Sequence, residues 1–282
     1  MSDKFQDGWF TVDGLRFHYT EWGNPTAPTV VMLHGLNVQC HTWDPIARVI
    51  SKDYHVIAMD MRGHGESDWS KLGYRVQSMA HDVHGLISQL GVGPVHLVGH
   101  SAGVRVAIAV AGEQPHTIRS LALSDAGPAN SKSGAVAMRD FIQSTTNLRG
   151  FKNENDARDF YLKLHPEWTP EFIELHVRYQ LRVNWAGKLV PKADPDLQWI
   201  TGSASLPDVE YLWKMSKNLS MPTLLMVGRK SNVLDEEVVN RMLAAMPNAK
   251  VRWFEGGHYF VRERPQEFNE VLSAHLSEVS RG

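Results

Sequence analysis

The stretch Val95-His96-Leu97-Val98-Gly99-His100-Ser101-Ala102-Gly103 constrains this chain more than any other. An apolar run ends at Gly99-His100-Ser101-Ala102-Gly103, and a helix-patterned run through Val104, Val106, Ala107, Ile108, Val110 and Ala111 follows at once. The pattern predicts a buried strand, an abrupt turn and a helix, with a serine at the tip of the turn. Glycines at 99 and 103 remove the Cβ atoms that would collide where strand and helix cross. Such a turn lifts the Ser101 hydroxyl clear of the sheet edge and aims the first helical N–H groups at whatever Ser101 attacks. A G-x-S-x-G pentapeptide alone arises in many turns. The strand before it and the helix after it are what mark a nucleophile.

The rest of the chain alternates in the same way. Phe10–Val12 and Leu15–Tyr19 alternate apolar and polar residues around Asp13-Gly14, which predicts a short hairpin. Continuous apolar runs at 28–33, 54–60, 118–125 and 222–228, and a further run at 250–254, read as strands, most of them covered on both faces. Helical spacing falls at about 42–50, at 76–90 with Gly91 as its cap, at 235–246 and at about 265–279. Between Gly127 and Leu219 the alternation lapses into a helix-leaning stretch carrying Trp168, Trp185, Trp199 and Trp213. The reading is an α/β fold with a mostly parallel sheet flanked by helices, residues 1–126 and 220–282 forming the core. Residues 127–219 are then a helical cap inserted after the sixth strand, over the carboxyl ends of the strands, where open α/β sheets place their sites. The tryptophans are expected to supply cap core and pocket wall.

With 282 residues and a formal net charge of −2, the chain points away from nucleic acid and anionic membrane surfaces as partners. One cysteine, Cys40, rules out an internal disulfide and reads as a small packing residue. No apolar run approaches membrane-spanning length, and Met1–Gly8 lacks a leader pattern, so a cytoplasmic location is expected. There is no H-E-x-x-H pair and no phosphate loop, and Gly63-His64-Gly65 lacks the rest of a dinucleotide fingerprint. Neither metal nor cofactor is expected.

His34-Gly35, Asp60-Met61-Arg62-Gly63-His64-Gly65-Glu66-Ser67, Gly99 to Gly103 and Gly256-Gly257-His258, in that order and spacing, resemble the α/β-hydrolase superfamily over nearly the whole chain. The resemblance implies an eight-stranded sheet, a cap, and a serine–acid–histidine triad in chain order. Ser101 is then the nucleophile and His258 its base. Oxyanion donors are the Ala102 N–H, next after the serine, and, by the resemblance, the Leu36 N–H. His34 shapes that oxyanion loop and adjoins the substrate.

The acid is where the chain departs from the family's usual pattern. Most relatives carry it on the loop after the strand ending here at Gly228, but Ser231 and Asn232 bear no charge. Asp125, one strand over from Ser101, is the favoured substitute, as in the (acetamidomethylene)succinate hydrolases, which the chain also resembles around Gly99-His100-Ser101 and Arg105. Asp235 and Glu236 remain alternatives, although Asp235 reads as a helix N-cap, and Asn232 is left as a neutral orienter. Arg105, one turn past Ser101, either braces the turn or meets substrate. Arg178 and Arg182, four apart, are expected on one helix face, Arg178 pairing with Glu174 and Arg182 free for a substrate carboxylate.

These residues predict a cofactor-independent serine hydrolase that cleaves a carboxylic ester, lactone or amide-type bond of a small molecule, one bearing a carboxylate if Arg105 or Arg182 faces the pocket. Carbon–carbon bond hydrolysis, lyase chemistry such as hydroxynitrile cleavage, and a low-turnover ligand receptor use the same machinery and stay open.

Overall fold

Asp13 and Gly14 both have positive φ, 48° and 80°, and fold β1 (Gln6–Val12) onto β2 (Leu15–Trp22) as an antiparallel pair. The computed structural model describes residues 5–131, 134, 150–197 and 206–281. Further strands follow at β3 (Thr29–Leu33), β4 (His55–Met59), β5 (Val95–His100), β6 (Ile118–Ser124), β7 (Leu181–Val183), β8 (Leu189–Pro191), β9 (Thr223–Gly228) and β10 (Ala249–Phe254). Eight of them form one sheet in the order β1-β2-β4-β3-β5-β6-β9-β10. The β1–β2 and β2–β4 pairs are antiparallel and the rest are parallel. This is the mostly parallel eight-stranded sheet that the alternation and the resemblance predict.

Every residue of β3, β4, β5 and β9 is buried, because helices cover both faces. Side-chain alternation sorts the sheet into two cores. Val31, Leu33 and Leu97 pack under α2 (Val76–Leu90) and α3 (Ala102–Glu113), with α1 (Asp44–Ile50) lying on the other face. There Val30, Met32 and Val98 meet Ile46 and Ala47 of α1. Because β3 leads to one face and its neighbour β5 to the other, the strand order reverses there and opens a crevice at their carboxyl ends.

The stretch between β6 and β9 holds α4 (Glu154–Leu164), α5 (Pro170–Gln180) and α6 (Leu206–Ser216), together with the antiparallel β7–β8 hairpin. The hairpin departs from the helical reading of this stretch. The Asn184 carboxamide oxygen accepts the Ala186 and Lys188 N–H groups at 3.0 and 2.9 Å, and Gly187 supplies φ 70°. That turn chemistry overrides helical spacing. Helix α5 therefore stops at Gln180, and Arg178 and Arg182 do not share a helix face. Glu174 pairs with Arg158 at 2.5 and 2.9 Å, not with Arg178, whose guanidinium lies over the Tyr179 ring.

Trp168 is buried in a cluster with Phe151, Tyr161, Ile173 and Val177. Trp213 packs half-buried against the main core. Trp185 departs from the expected role: at the hairpin tip it is 99% exposed. Trp199 lies outside the described residues. The chain resumes with β9, α7 (Glu236–Ala245), β10, α8 (Phe260–Glu263) and α9 (Pro265–Arg281). Among the described residues no helix is long and apolar enough to cross a membrane.

Candidate active site

Ser101 sits between the last residue of β5 and the first of α3, with φ 54° and ψ −119°. A side chain rarely adopts that conformation, and a non-glycine residue is held there only when its surroundings fix it. Two glycines make the turn possible. A Cβ on Gly99 would lie 2.5 Å from the Gly103 carbonyl oxygen, and one on Gly103 would lie 2.3 Å from that of Leu33. Strand and helix approach each other backbone to backbone, so the serine is forced outward.

The loop after β3 runs against this turn. A Cβ on Gly35 would stand 3.1 Å from the Ser101 Cβ. The N–H groups of Leu36 and Ala102 donate to no group among the described residues. For Ala102 this is expected of the first position in a helix. Ala102 adjoins the serine in the chain, and Leu36 follows Gly35, which lies against the Ser101 side chain.

His34 anchors that loop. The Met61 N–H donates to its Nε2 at 3.0 Å, so Nδ1 carries the proton and donates to the Gly35 carbonyl at 2.7 Å. Burial pushes its basicity down and keeps it neutral. With both nitrogens taken up by backbone, His34 has none left for substrate. This corrects its expected substrate contact and leaves it a bracing role.

His258 comes from the loop between β10 and α8. Its Nε2 lies 3.0 Å from the Ser101 Oγ and its Nδ1 lies 2.7 Å from the Asp125 Oδ2. A second histidine, His100 at the end of β5, fixes this loop. The His100 Nε2–H donates to the His258 carbonyl at 3.0 Å. Burial holds His100 far below the ordinary imidazole range, so it acts as a neutral donor.

Asp125 follows β6 directly, with φ 54°, and is fully buried. Its Oδ1 accepts the Gly228 N–H at 2.8 Å, and its Oδ2 accepts the Ser231 hydroxyl at 2.5 Å as well as the His258 Nδ1–H. A buried carboxylate needs such donors to stay ionised. Ser231, which bears no charge, supplies a hydrogen bond to the carboxylate instead. Asp235 caps α7 by accepting the Val238 N–H at 2.9 Å. Glu236 and Asn232 are exposed.

The arginines divide. Arg105 has its Nε and Nη2 enclosed and without a hydrogen-bond partner among the described residues, although Asp208 lies within electrostatic reach. Arg182 is exposed on β7 with its guanidinium 4.8 Å over the Trp69 ring, and among the described residues no hydrogen bond or ion pair joins it to the Ser101–His258 group. Its expected place beside the substrate rested on a helix that ends two residues earlier. Among the described residues His18, Cys40 and Asp60 bring possible metal-ligating atoms within 4.8 Å of one another. They already satisfy one another: His18 Nδ1 meets Asp60 Oδ2 at 2.8 Å, and the Cys40 N–H meets Oδ1 at 2.6 Å. Burial raises the Cys40 thiol well above its usual range, which makes it a poor nucleophile.

Comparison with known proteins bears on the family and the fold. The family model for the alpha/beta hydrolase fold matches residues 28–265. A 3-hydroxybutyrate-oligomer hydrolase from Cupriavidus necator is 27% identical over 239 residues, 81% of this chain and 82% of that protein. A 2-(acetamidomethylene)succinate hydrolase from Mesorhizobium japonicum is 24% identical over 264 residues, 93% and 91% of the two chains. The crystal structure of an E-2-(acetamidomethylene)succinate hydrolase superposes with a TM-score of 0.88 at 21% identity, covering 97% of this chain and 100% of that one. At that identity the likeness speaks for the fold.

Proposed function

The chain belongs to the α/β-hydrolase fold family and is a hydrolase; on that premise we propose that it cleaves an ester, lactone or amide-type bond of a small molecule through a Ser101 acyl-enzyme. The supporting observation is the unbroken run of hydrogen bonds from Ser101 Oγ through His258 to Asp125, at 3.0 and 2.7 Å. A serine hydroxyl at neutral pH is a weak nucleophile until an adjacent base takes its proton. Asp125, accepting at Nδ1, fixes the tautomer that leaves Nε2 free to do so, and it steadies the imidazolium that forms.

Ser101 Oγ attacks the carbonyl carbon as His258 Nε2 takes the hydroxyl proton. The carbonyl oxygen becomes an oxyanion, held by the N–H groups of Leu36 and Ala102, each donor worth roughly two to three orders of magnitude in rate. His258 passes the proton to the leaving alcohol or amine. Water then repeats the sequence on the acyl-enzyme, with His258 as base and then acid, and regenerates Ser101. The described parts of the stretch between β6 and β9, residues 150–197 and 206–219, serve as a cap that keeps bulk water from the intermediate. The relatives named above act on a hydroxybutyrate oligomer and on an acetamido compound, which suits the ester and amide alternatives alike.

A fluorophosphonate probe and a short p-nitrophenyl ester test the reading. One label at Ser101, multiple turnover, and loss of both in Ser101→Ala are expected. Labelling without turnover identifies a receptor instead, and an unlabelled Ser101 refutes the proposal.

A further inference from the structure

Arg262 follows His258 by four residues, in the short helix α8, and is 2% exposed. Its Nε and Nη1 are enclosed and bond to nothing, and it makes no ion pair among the described residues. The guanidinium lies 4.2 Å over the Trp168 ring and 4.9 Å over that of Tyr259. Tyr259 joins this cage to the candidate active site, its ring 5.0 Å from His258 and 6.2 Å from His100. The surrounding imidazoles offer no counter-charge. Burial keeps His34, His100, His165 and His176 neutral, and the Arg262 charge pushes each further the same way. The acid within electrostatic reach, Glu167, is 41% exposed and turned to His165 at 3.3 Å.

A buried guanidinium has five N–H donors to satisfy and a charge to compensate. Two ring faces offset part of the charge and none of the lost hydrogen bonds. If Arg262 served only to strut the Trp168 segment against α8, a neutral side chain of the same length would do as well. We propose that Arg262 anchors a carboxylate of the substrate, so that the enzyme selects esters or amides carrying a negative charge near the scissile bond. A carboxylate fits better than a phosphate, because one monoanion balances one guanidinium, whereas a dianion would leave excess charge among aromatic rings. Sequence reading passed over Arg262 because it sits among charged residues, Arg262-Glu263-Arg264, that read as a solvated helix start.

The inference rests on the Ser101 hydrolase reading, and the test separates the two. Two pairs of esters are compared by kcat/KM: mono-p-nitrophenyl glutarate against p-nitrophenyl pentanoate, and 3-carboxy-4-nitrophenyl butyrate against p-nitrophenyl butyrate. In one pair the wild-type chain is expected to favour the charged member about tenfold or more, chiefly through KM. Arg262→Met is expected to erase that preference, and Arg262→Lys to keep part of it. A second readout needs no variant: pentanoate should protect wild-type Ser101 from the fluorophosphonate at concentrations where pentanamide does not. Ester turnover with no charge preference in either pair, or a preference that Arg262→Met leaves intact, overturns the anchor alone, as does equal protection by the acid and the amide. A wild-type chain that neither labels nor turns over any ester overturns the hydrolase reading and the anchor with it.

Discussion

Two neighbouring strand ends divide one task between them. β6 and β9 pair in parallel register, Ser124 opposite Met226. The end of β6 delivers a charge, Asp125. The end of β9 and the loop after it deliver two donors to that carboxylate: the Gly228 N–H and the Ser231 hydroxyl. Paired strands lie about 4.8 Å apart, so a carboxylate on either end reaches the same imidazole nitrogen. The fold therefore fixes where an acid is needed but not which strand carries it. Once Asp125 is in place, a second carboxylate beside it would be repelled, and a hydroxyl at 231 is the complementary choice.

The largest expected effect breaks the comparison on the β6 side. Asp125→Asn keeps the shape but not the charge, and it favours the wrong tautomer of His258. A fall in kcat of about 10⁴ is expected, with little change in KM. Steady-state kinetics on a p-nitrophenyl ester, with circular dichroism as the check on folding, decide it. Retention of a tenth of the activity would mean that His258 is oriented by something else.

Acid should weaken the β6 side next. His100 is the last residue of β5, paired with Ser124, and His34 braces the adjoining loop. Both are held neutral in the folded chain, whereas in the unfolded chain they take up protons near pH 6.5. Below that pH the unfolded state binds more protons, so stability is complete above about pH 6.5 and declines as pH falls. Each imidazole contributes a slope of about 1.4 kcal/mol per pH unit until it is protonated in the native state as well. Urea midpoints at pH 7.5, 6 and 5 should fall in that order. A flat profile would mean that water reaches these rings.

Ser231→Ala asks how much the β9 loop adds. It strips one charge-assisted donor from a buried carboxylate while leaving the Gly228 N–H and His258 in place. A loss of roughly tenfold in kcat is expected, far smaller than for Asp125→Asn. Equal losses would mean that the hydroxyl, rather than the carboxylate, organises the histidine.

What sequence made legible follows the range of the interactions. The turn around Ser101 is local: strand, glycines and helix are adjacent in the chain, and the strained φ they imply is present. The Ser101–His258–Asp125 grouping spans far more chain, but each member follows a strand of the mostly parallel sheet that the alternation predicts, and parallel strands end at one edge. The β7–β8 hairpin was not, because Arg182 and Val183 continue the helical spacing of α5 and only the Asn184 turn breaks it. The Glu174–Arg158 pair links two helices whose packing no periodicity encodes. His34 and Arg262 depend on what encloses them. Whether a ring nitrogen meets the Met61 backbone, or a guanidinium meets two aromatic rings, is settled by packing across elements distant in the chain.

Asp235→Ala gives the smallest effect and the cleanest contrast. Asp235 is the carboxylate that chain position alone would most readily substitute for the family's acid, yet its oxygen accepts the Val238 N–H at the start of α7. Removing an N-cap costs about 1 kcal/mol of stability. A thermal or urea midpoint should register that loss, while kcat and KM on the same ester stay within twofold of wild type. The two acids then part in opposite directions, Asp125 in rate and Asp235 in stability. A rate loss at 235 approaching that at 125 would return the acid to the loop after β9 and leave Asp125 as a brace between the two strand ends.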